Sequence, residues 1–206
     1  MNLNVINTGS HTFRSPKLKS VVTDAIHFFC KTPFFNLPPP NTFTGAGVYA
    51  LYYLGDQEPY APIGRANQKS CIQPIYVGKA VPPGWRTARI ETSSSQDLSR
   101  RLREHANSIK STSNLNLEDF RCRFMILDGV EGDLVVPVEA TLIRKFKPLW
   151  NNTIDGFGNH DPGSGRYDQS LSEWDVLHPG RSWAIRLKGI PPKKKGILAK
   201  VIRSLN

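Results

Sequence analysis

Two tyrosines stand beside glycines in short, similar triplets, Gly47-Val48-Tyr49 and Tyr76-Val77-Gly78. Both triplets lie in aromatic and apolar segments that predict strands, and a glycine in a strand lets a ligand or another backbone approach closely. A phenol titrates near about 10, so it accepts a proton from water only when a positive charge or an acidified water is nearby. Lys79 follows the second triplet and is a candidate for that charge. The alternative is that both tyrosines are half-buried strand aromatics.

A second pair of reactive side chains follows on a predicted helix at residues 95–109. Arg101 and His105 are four residues apart, so they share one face of that helix beside apolar residues. Arginine can neutralise charge that builds up on a phosphate, and histidine can accept a proton near neutral pH. We therefore expect a reaction rate that rises with pH through a group titrating between about 6 and 8. The alternative is a solvated helix flank.

A carboxylate and an amide complete the set of candidates. Glu139 lies in a predicted helix at residues 134–147, and its neighbours three and four positions away are apolar. A carboxylate in such a stripe needs a partner, either an arginine of a neighbouring helix or a metal such as Mg²⁺, which keeps most of its waters. Asn151 follows Pro148, which ends the helix, and in isolation it is typical of a turn.

The elements that must position these side chains predict an α+β fold. The predicted order is strand, strand, helix, strand, helix, which gives a small mixed or antiparallel three-stranded sheet flanked by helices. We expect Asp133 to cap the last of these helices and Ser95 to cap the preceding one. The predicted strands lie at residues 48–54, 74–77 and 120–127.

Three regions follow from this order. Residues 1–43 form an N-terminal arm and helix, residues 44–155 form the core with an inserted loop at 55–73, and residues 156–206 form a C-terminal loop and basic extension. The N-terminal helix is expected at 17–30, and a further strand at 182–188. The apolar face of that first helix contains Leu18, Val21, Val22, Ala25, Ile26 and Phe29.

The ordered set of triplets and polar residues resembles the GIY-YIG nuclease superfamily, over roughly residues 44–155. The resemblance is more specific to its type II restriction endonucleases, because of the loop between the triplets and the flanking segments. His105 also favours that branch, since many other members of the superfamily have a tyrosine there. Valine replaces isoleucine in both triplets, which packing tolerates. The tyrosines are 27 positions apart, farther than in small members, so the insertion at 55–73 must loop out.

The resemblance implies a role for each candidate residue in hydrolysing DNA phosphodiesters with Mg²⁺ (or Mn²⁺). Glu139 would bind the metal, and Tyr49 would orient or deprotonate the attacking water, with His105 as the proton acceptor behind it. Arg101 would stabilise the phosphate. Tyr76 would pack and hydrogen-bond in the site, and Asn151 would support it, although the adjacent Asn152 is an alternative for that position.

The composition agrees with a polyanionic partner. The chain has 206 residues and a formal net charge of +10, which fits nucleic acid and also basic membrane-surface proteins. Its three cysteines form no CxxC pair, which argues against structural zinc and suits a reduced cytosolic protein. There is no P-loop motif and no apolar run that could span a membrane, so we expect no nucleotide cofactor and a cytoplasmic, bacterial enzyme.

Base recognition must come from segments outside the small core. We expect double-stranded DNA to be contacted by Arg166 and Arg181 in the loop at 156–181, and by Lys193, Lys194 and Lys195, which follow two prolines and are therefore predicted not to form a helix interior. The alternative for the lysines is a solubilising tail.

A restriction function implies a palindromic site and a homodimer. The relatives that the chain most resembles cut CCGCGG, which implies a GC-rich site. Two alternatives stay open. A GIY-YIG repair or mobile-element nuclease is disfavoured because such enzymes usually carry a separate binding domain. A non-catalytic basic nucleic-acid-binding protein is disfavoured by the ordered tyrosine, arginine, histidine and glutamate set.

Overall fold

The computed structural model of the chain describes residues 6–85 and 95–205. It is an α+β fold in which one antiparallel sheet has helices on both faces. The strands are β1 (Phe35–Asn36), β2 (Gly47–Tyr53), β3 (Tyr76–Ala80) and β4 (Phe120–Ile126), in the order β1-β4-β2-β3. The α-helices are α1 (Pro16–Phe29), α2 (Ala61–Asn67), α3 (Asp97–Lys110), α4 (Val135–Phe146), α5 (Leu149–Asn152), α6 (Glu173–Leu177) and α7 (Lys194–Leu205).

The α+β class and the three core strands predicted from the sequence are confirmed, but the sheet has four strands within the described residues 6–85 and 95–205. The extra strand, β1, has only two residues, with Phe35 opposite Cys122 and Asn36 opposite Arg121. Two residues are too few to show an alternating pattern, so this strand has no signature in the sequence. The sheet is entirely antiparallel.

The central strand β2 is buried along its whole length. Tyr49, Leu51 and Tyr53 join one core cluster, whereas Val48 and Tyr52 belong to the cluster on the other face. Both faces of the strand are therefore covered, which explains its continuous apolar sequence.

Two groups of helices cover the two faces of the sheet. Helices α1 and α4 pack on the face with Val48, and helices α3, α5, α6 and α7 supply side chains to the face with Tyr49. Val22, Ile26 and Phe29 are the buried residues of α1. Leu18 and Val21, which were predicted on the same buried face, are 51% and 46% exposed. The first turns of α1 thus extend beyond the sheet that its last turns cover.

The insertion between the triplets does not loop out as predicted. Residues 61–67 form helix α2, which contacts β2 and buries Ile63. The buried Asn67 fixes the return of the chain: its amide donates to the carbonyls of Tyr53 and Gln73, and its carbonyl oxygen accepts from the backbone of Ile72 and Gln73. The insertion therefore packs onto the core and leaves the pairing of β2 with β3 intact.

Two predicted helix caps are wrong. Asp133 lies inside a 3₁₀ turn, Gly129–Leu134, that leads directly into α4, so Leu134 occupies the cap position. Ser95 lies one residue before the cap of α3 and donates its hydroxyl hydrogen to the Asp97 carboxylate.

One further prediction about the C-terminal region, that of a strand, is also wrong. The strand expected at 182–188 is a 3₁₀ turn, Ala184–Arg186. The lysine segment opens helix α7, because Ile197 and Val201 are four residues apart and both are buried. The proposed regional division at residues 43 and 156 stays a prediction. None of the helices within 6–85 and 95–205 is long and apolar enough to cross a membrane.

A buried histidine ties α6 to the rest of the core and should make stability depend on pH. His178 Nε2 forms a hydrogen bond with the Tyr60 hydroxyl at 2.7 Å, and His178 Nδ1 forms one with the Asn114 amide oxygen at 3.1 Å. Burial, assisted by Lys194, lowers the pKa of His178 to about 3. The neutral ring is consistent with both bonds, with Nδ1–H donating to Asn114 and Nε2 accepting from Tyr60.

We expect the free energy of unfolding to fall as the pH drops below about 6.5. The unfolded chain then binds a proton on His178 that the native protein does not bind until about pH 3, which lowers stability by about 1.4 kcal/mol per pH unit. Urea unfolding at about pH 7.5 and about pH 5 measures the difference, which should be about 2 kcal/mol for this residue. His178→Gln should reduce the dependence by that amount and leave the part due to the other buried histidine, His105. An unchanged slope would contradict the assignment.

Candidate active site

The pairing of β2 with β3 places the two triplets side by side and explains their glycines. Tyr49 lies directly opposite Gly78, and a Cβ atom at Gly78 would lie 2.4 Å from the Tyr49 hydroxyl oxygen. Gly47 has φ of 151°, and a Cβ there would lie 2.1 Å from the carbonyl oxygen of Met125. Both glycines are therefore required by contacts, one with the Tyr49 phenol and one with the neighbouring strand β4.

Tyr49 and His105 form a buried hydrogen-bonded pair. The Tyr49 hydroxyl oxygen lies 2.6 Å from His105 Nε2. Tyr49 is 0% exposed and His105 is 2% exposed. Burial, and then the neighbouring Tyr76, raises the pKa of Tyr49 well above its ordinary value. Burial, and then the positive charge of Arg101, lowers the pKa of His105 well below 6.5. The phenol therefore keeps its proton and donates it to a neutral imidazole.

This result corrects the expected pH dependence. A histidine whose pKa lies well below 6.5 is already neutral between pH 6 and 8. A rise in rate caused by its deprotonation therefore belongs below pH 6.5, not between about 6 and 8 as the unperturbed imidazole predicts.

Arg101 is partly buried and has three neighbours at the site. One terminal nitrogen donates to the carbonyl oxygen of Gly158 (2.7 Å), and the other donates to the Glu104 carboxylate (2.9 Å) and to the ring of His160. Its side chain is 16% exposed. The guanidinium is thus held in place, beside the phenols of Tyr49 and Tyr76, whose pKa values its charge lowers against the larger effect of burial.

Lys79 and Glu139 form an ion pair on the other side of strand β3. Alternate residues of a strand face opposite sides, so Lys79 points away from Tyr76. Arg101 lowers the pKa values of both tyrosines, whereas the role of Lys79 as a source of positive charge for them stays a prediction. Glu139, for which an arginine partner on a helix was the alternative, is paired with a lysine on a strand. Its side chain is 15% exposed.

Asn151 connects α5 to the second triplet. Its carbonyl oxygen accepts from the backbone N–H of Val77, and its amide donates to the Val77 carbonyl oxygen, both at 2.8 Å. Asn152 is exposed by comparison. Of the two candidates, Asn151 is therefore the one that fixes the strand carrying Tyr76.

The residues present fit a Mg²⁺ ion, which needs few protein ligands, better than a metal ion that is bound by several protein side chains. Within residues 6–85 and 95–205, no group of three or more histidine, cysteine, aspartate or glutamate side chains could hold a metal ion. Glu139 offers one partly exposed carboxylate, and its charge acts on Tyr49 and Tyr76 in addition to the larger effect of their burial. Mg²⁺ binds through one or two carboxylates together with waters and substrate phosphates, so Glu139 is the residue that would hold it.

A segment that sequence reasoning missed forms another wall of the site. The ring of Phe157 stacks on His105, with centroids 4.5 Å apart and planes 17° apart, and lies 4.8 Å from the ring of Tyr76. Gly158 and His160 contact Arg101. The only signal in the sequence is the Gly-Phe-Gly triplet at 156–158, which by composition indicates no more than a loop.

The predicted DNA-contacting residues divide into exposed and buried. Arg166 and the lysines at 193–195 are exposed. Arg181 is only 4% exposed and forms an ion pair with Asp175, with Nε to carboxylate oxygen at 2.7 Å. We therefore assign Arg181 a structural role in place of the predicted contact with DNA.

Comparison with known families identifies the family of the chain. A family model described as the Eco29kI GIY-YIG domain matches residues 41–205, well over half of the chain. None of the curated proteins matches the chain significantly. The match confirms the predicted restriction branch of the GIY-YIG nucleases, whereas the sequence CCGCGG stays a prediction. The chain therefore belongs to the Eco29kI GIY-YIG domain family, a family of restriction endonucleases.

Proposed function

We propose that this nuclease is a type II restriction endonuclease that hydrolyses phosphodiester bonds of double-stranded DNA at a palindromic, GC-rich site, with Mg²⁺ as the cofactor. The observation that carries the proposal is the buried bond between the Tyr49 hydroxyl and His105 Nε2. It joins a phenol to a neutral acceptor beside an arginine, which are the parts that water-mediated cleavage of a phosphodiester requires.

Each residue has a distinct part in the proposed reaction. Water attacks the phosphorus as the bond to the 3′ oxygen breaks, and the Tyr49 oxygen accepts a proton from that water while its own proton passes to His105 Nε2. The departing 3′ oxygen takes a proton from solvent. A strongly raised phenol pKa opposes formation of a free phenolate, so moving both protons together avoids that ion. Arg101 donates to the phosphate oxygens as negative charge builds up. Tyr76 lines the site, and Asn151 holds its strand.

Glu139 is the proposed metal ligand, and in this structure it forms an ion pair with Lys79. When bound, Mg²⁺ would supply positive charge to a non-bridging phosphate oxygen and to the leaving 3′ oxygen. Lys79 is 31% exposed along its side chain, so it can remain solvated when Glu139 changes partner.

Plasmid digestion tests the proposal directly. We expect discrete linear fragments from a sequenced plasmid with Mg²⁺ and none with EDTA, and mapping of the fragment ends gives the site and the cut position. Binding without any cleavage under Mg²⁺ or Mn²⁺ would instead support the non-catalytic alternative. Cleavage at structures such as branches, in place of a fixed sequence, would support the repair alternative.

The exposed lysines at 193–195 support contact with the DNA backbone. Lys194 and Lys195 lie in the first turn of α7, which contains no acidic residue. Cations at the N-terminus of a helix are unfavourable because the helix dipole is positive there. The same arrangement attracts phosphate, to which the lysines can bind.

Replacing the three lysines at 193–195 by alanine should weaken binding to cognate and random duplexes by similar factors. Phosphate contacts contribute affinity without base choice, so the slope of log affinity against log salt should fall by up to about 3, at roughly 0.9 per contact. Gel-shift or anisotropy titrations at several salt concentrations measure the slope.

A matched variant removes the same charge elsewhere, at the exposed residues Lys17, Lys19 and Lys31. If binding depended only on the total charge, both triple variants would change the slope equally. An unchanged slope in the variant at 193–195 would make that segment a solubilising element.

Recognition of a palindrome implies two copies related by a two-fold axis, so we propose a homodimer. Arg166 is an exposed arginine of the loop that follows His160, and arginine binds guanine in the major groove through two hydrogen bonds. That chemistry is compatible with a GC-rich site.

A further inference from the structure

The residues from Gly156 to His160, here called the 156–160 segment, contact three side chains of the site. Phe157 stacks on His105 and packs edge-on against Tyr76. The carbonyl oxygen of Gly158 accepts from Arg101 at 2.7 Å. The segment therefore packs directly against His105, Tyr76 and Arg101.

Arg181 holds the 156–160 segment from behind. Its two terminal nitrogens donate to three carbonyl oxygens of that segment: Gly156 at 2.9 Å, Phe157 at 3.1 Å and Asn159 at 3.2 Å. Its Nε donates to the Asp175 carboxylate at 2.7 Å. Every nitrogen of the guanidinium thus has a partner, and all the carbonyl partners belong to one short stretch of chain.

Aromatic rings and a second hydrogen-bonded group surround Arg181. The guanidinium carbon lies 4.6 Å from the ring centroid of Trp174 and 4.7 Å from that of Trp183. The Asp175 carboxylate also accepts from Ser172, at 2.6 Å. A buried arginine stacked on aromatic rings and bonded in a fixed fork has little freedom to adopt another rotamer.

We propose that Arg181 is a positioning residue of the active site, which keeps the 156–160 segment packed against His105 and Arg101 so that both are in place for cleavage. It touches no substrate and acts through that segment. The inference rests on the roles proposed above for His105 and Arg101. Consistent with its location, the charge of Arg181 is one of the lesser contributions, after burial, to the lowered pKa of His105.

The variant Arg181→Lys distinguishes a positioning role of Arg181 from a general contribution to the stability of the fold. Arg181→Lys keeps the charge beside Asp175 but cannot reproduce the fork to the three carbonyls. We expect the rate constant of cleavage in a single turnover, per folded molecule, to fall by roughly 30-fold or more. Small displacements of catalytic groups lower reaction rates strongly. The affinity for cognate DNA measured without Mg²⁺ should stay within about twofold.

A double variant avoids leaving a buried charge without its partner. Removing Arg181 alone leaves Asp175 buried without its cation, which destabilises a fold strongly. Asp175→Asn combined with Arg181→Met removes both charges together. NMR titration of the imidazole should show a higher pKa for His105 in this variant, a result that does not depend on nuclease activity.

Gly158→Ala changes the packing of the 156–160 segment against the site without changing Arg181. A Cβ at position 158 would lie 2.6 Å from the Tyr76 hydroxyl oxygen and 3.6 Å from a terminal nitrogen of Arg101. We expect the variant to fold, to bind DNA normally and to lose kcat. Lys200→Ala is the control, since it breaks only the partly exposed ion pair between α7 and Glu173 of α6.

The outcomes separate cleanly. Normal kcat per folded molecule in Arg181→Lys would overturn the proposal, as would an unchanged His105 pKa in the double variant. If the Arg181 variants do not fold, normal kcat in Gly158→Ala overturns it and reduced kcat supports it. Failure of the parent protein to cut DNA would refute the proposed function instead, while the NMR result would still decide whether Arg181 acts on His105.

Discussion

Glu139→Gln is expected to abolish DNA cleavage while binding to duplex DNA survives. Glutamine keeps the size of the side chain but removes the negative charge that would hold Mg²⁺ and that pairs with Lys79 in this structure. Binding should stay equal or become tighter, because a negative charge that faces phosphate is removed. Plasmid cleavage at saturating Mg²⁺ and gel-shift titration measure the two effects.

Glu131→Gln is the matched control for this prediction, since Glu131 is exposed in the turn that leads into α4. It should cut at the rate of the parent. If Glu139→Gln retained cleavage within about tenfold, which corresponds to only about 1.4 kcal/mol of barrier, Glu139 would not be the metal ligand.

Tyr49→Phe and His105→Ala are expected to lower the cleavage rate by roughly 10²–10⁴-fold each, the usual contribution of a positioned acid or base. Each removes one side of the 2.6 Å bond between the phenol and the imidazole. Because the two residues act as a unit, the double variant should be little slower than either single variant. Single-turnover cleavage at saturating Mg²⁺ measures all three.

Tyr60→Phe is a matched control, because Tyr60 is also a buried tyrosine bonded to a histidine, at 2.7 Å from His178. It should affect stability and leave the chemical step alone. Equal loss of rate in Tyr60→Phe and Tyr49→Phe would show that the phenol bond matters only for folding.

The pH profile gives a further signature of the pair. Since the pKa of His105 lies well below 6.5 and that of Tyr49 well above 10, the parent rate should be level across neutral pH and fall only on the acid side. In His105→Ala the acid limb due to this residue should disappear. A limb in the parent centred near neutral pH would assign the proton acceptor to another group.

The sequence predicts most of the central site because local rules place its residues. Alternation along β3 and β2 orients the tyrosines, and the four-residue spacing of Arg101 and His105 puts both on one helix face. The apolar surroundings of Glu139 correctly indicated a required partner, but not which one. That partner, Lys79, is set by the packing of α4 on β3, which no local pattern encodes.

The C-terminal part of the site could not be predicted in the same way. The 156–160 segment has no periodicity, and its position depends on Arg181, more than twenty residues further along the chain. An arginine in a polar loop is usually exposed, so its burial follows only from the fold. Helix α7, by contrast, does have a signal, since Ile197 and Val201 are spaced as on one helix face and the two prolines lie before its first residue.

The contact between Gly78 and the Tyr49 phenol has a consequence for how related chains diverge. The two positions are neighbours across strands, so the length of the inserted helix α2 between them does not alter the steric rule that links them. A side chain at position 78 should be tolerated only where position 49 has lost its bulk, and such a chain would also have lost the phenol. We therefore expect these two positions to covary across the family, and to identify active members better than any fixed spacing between the triplets.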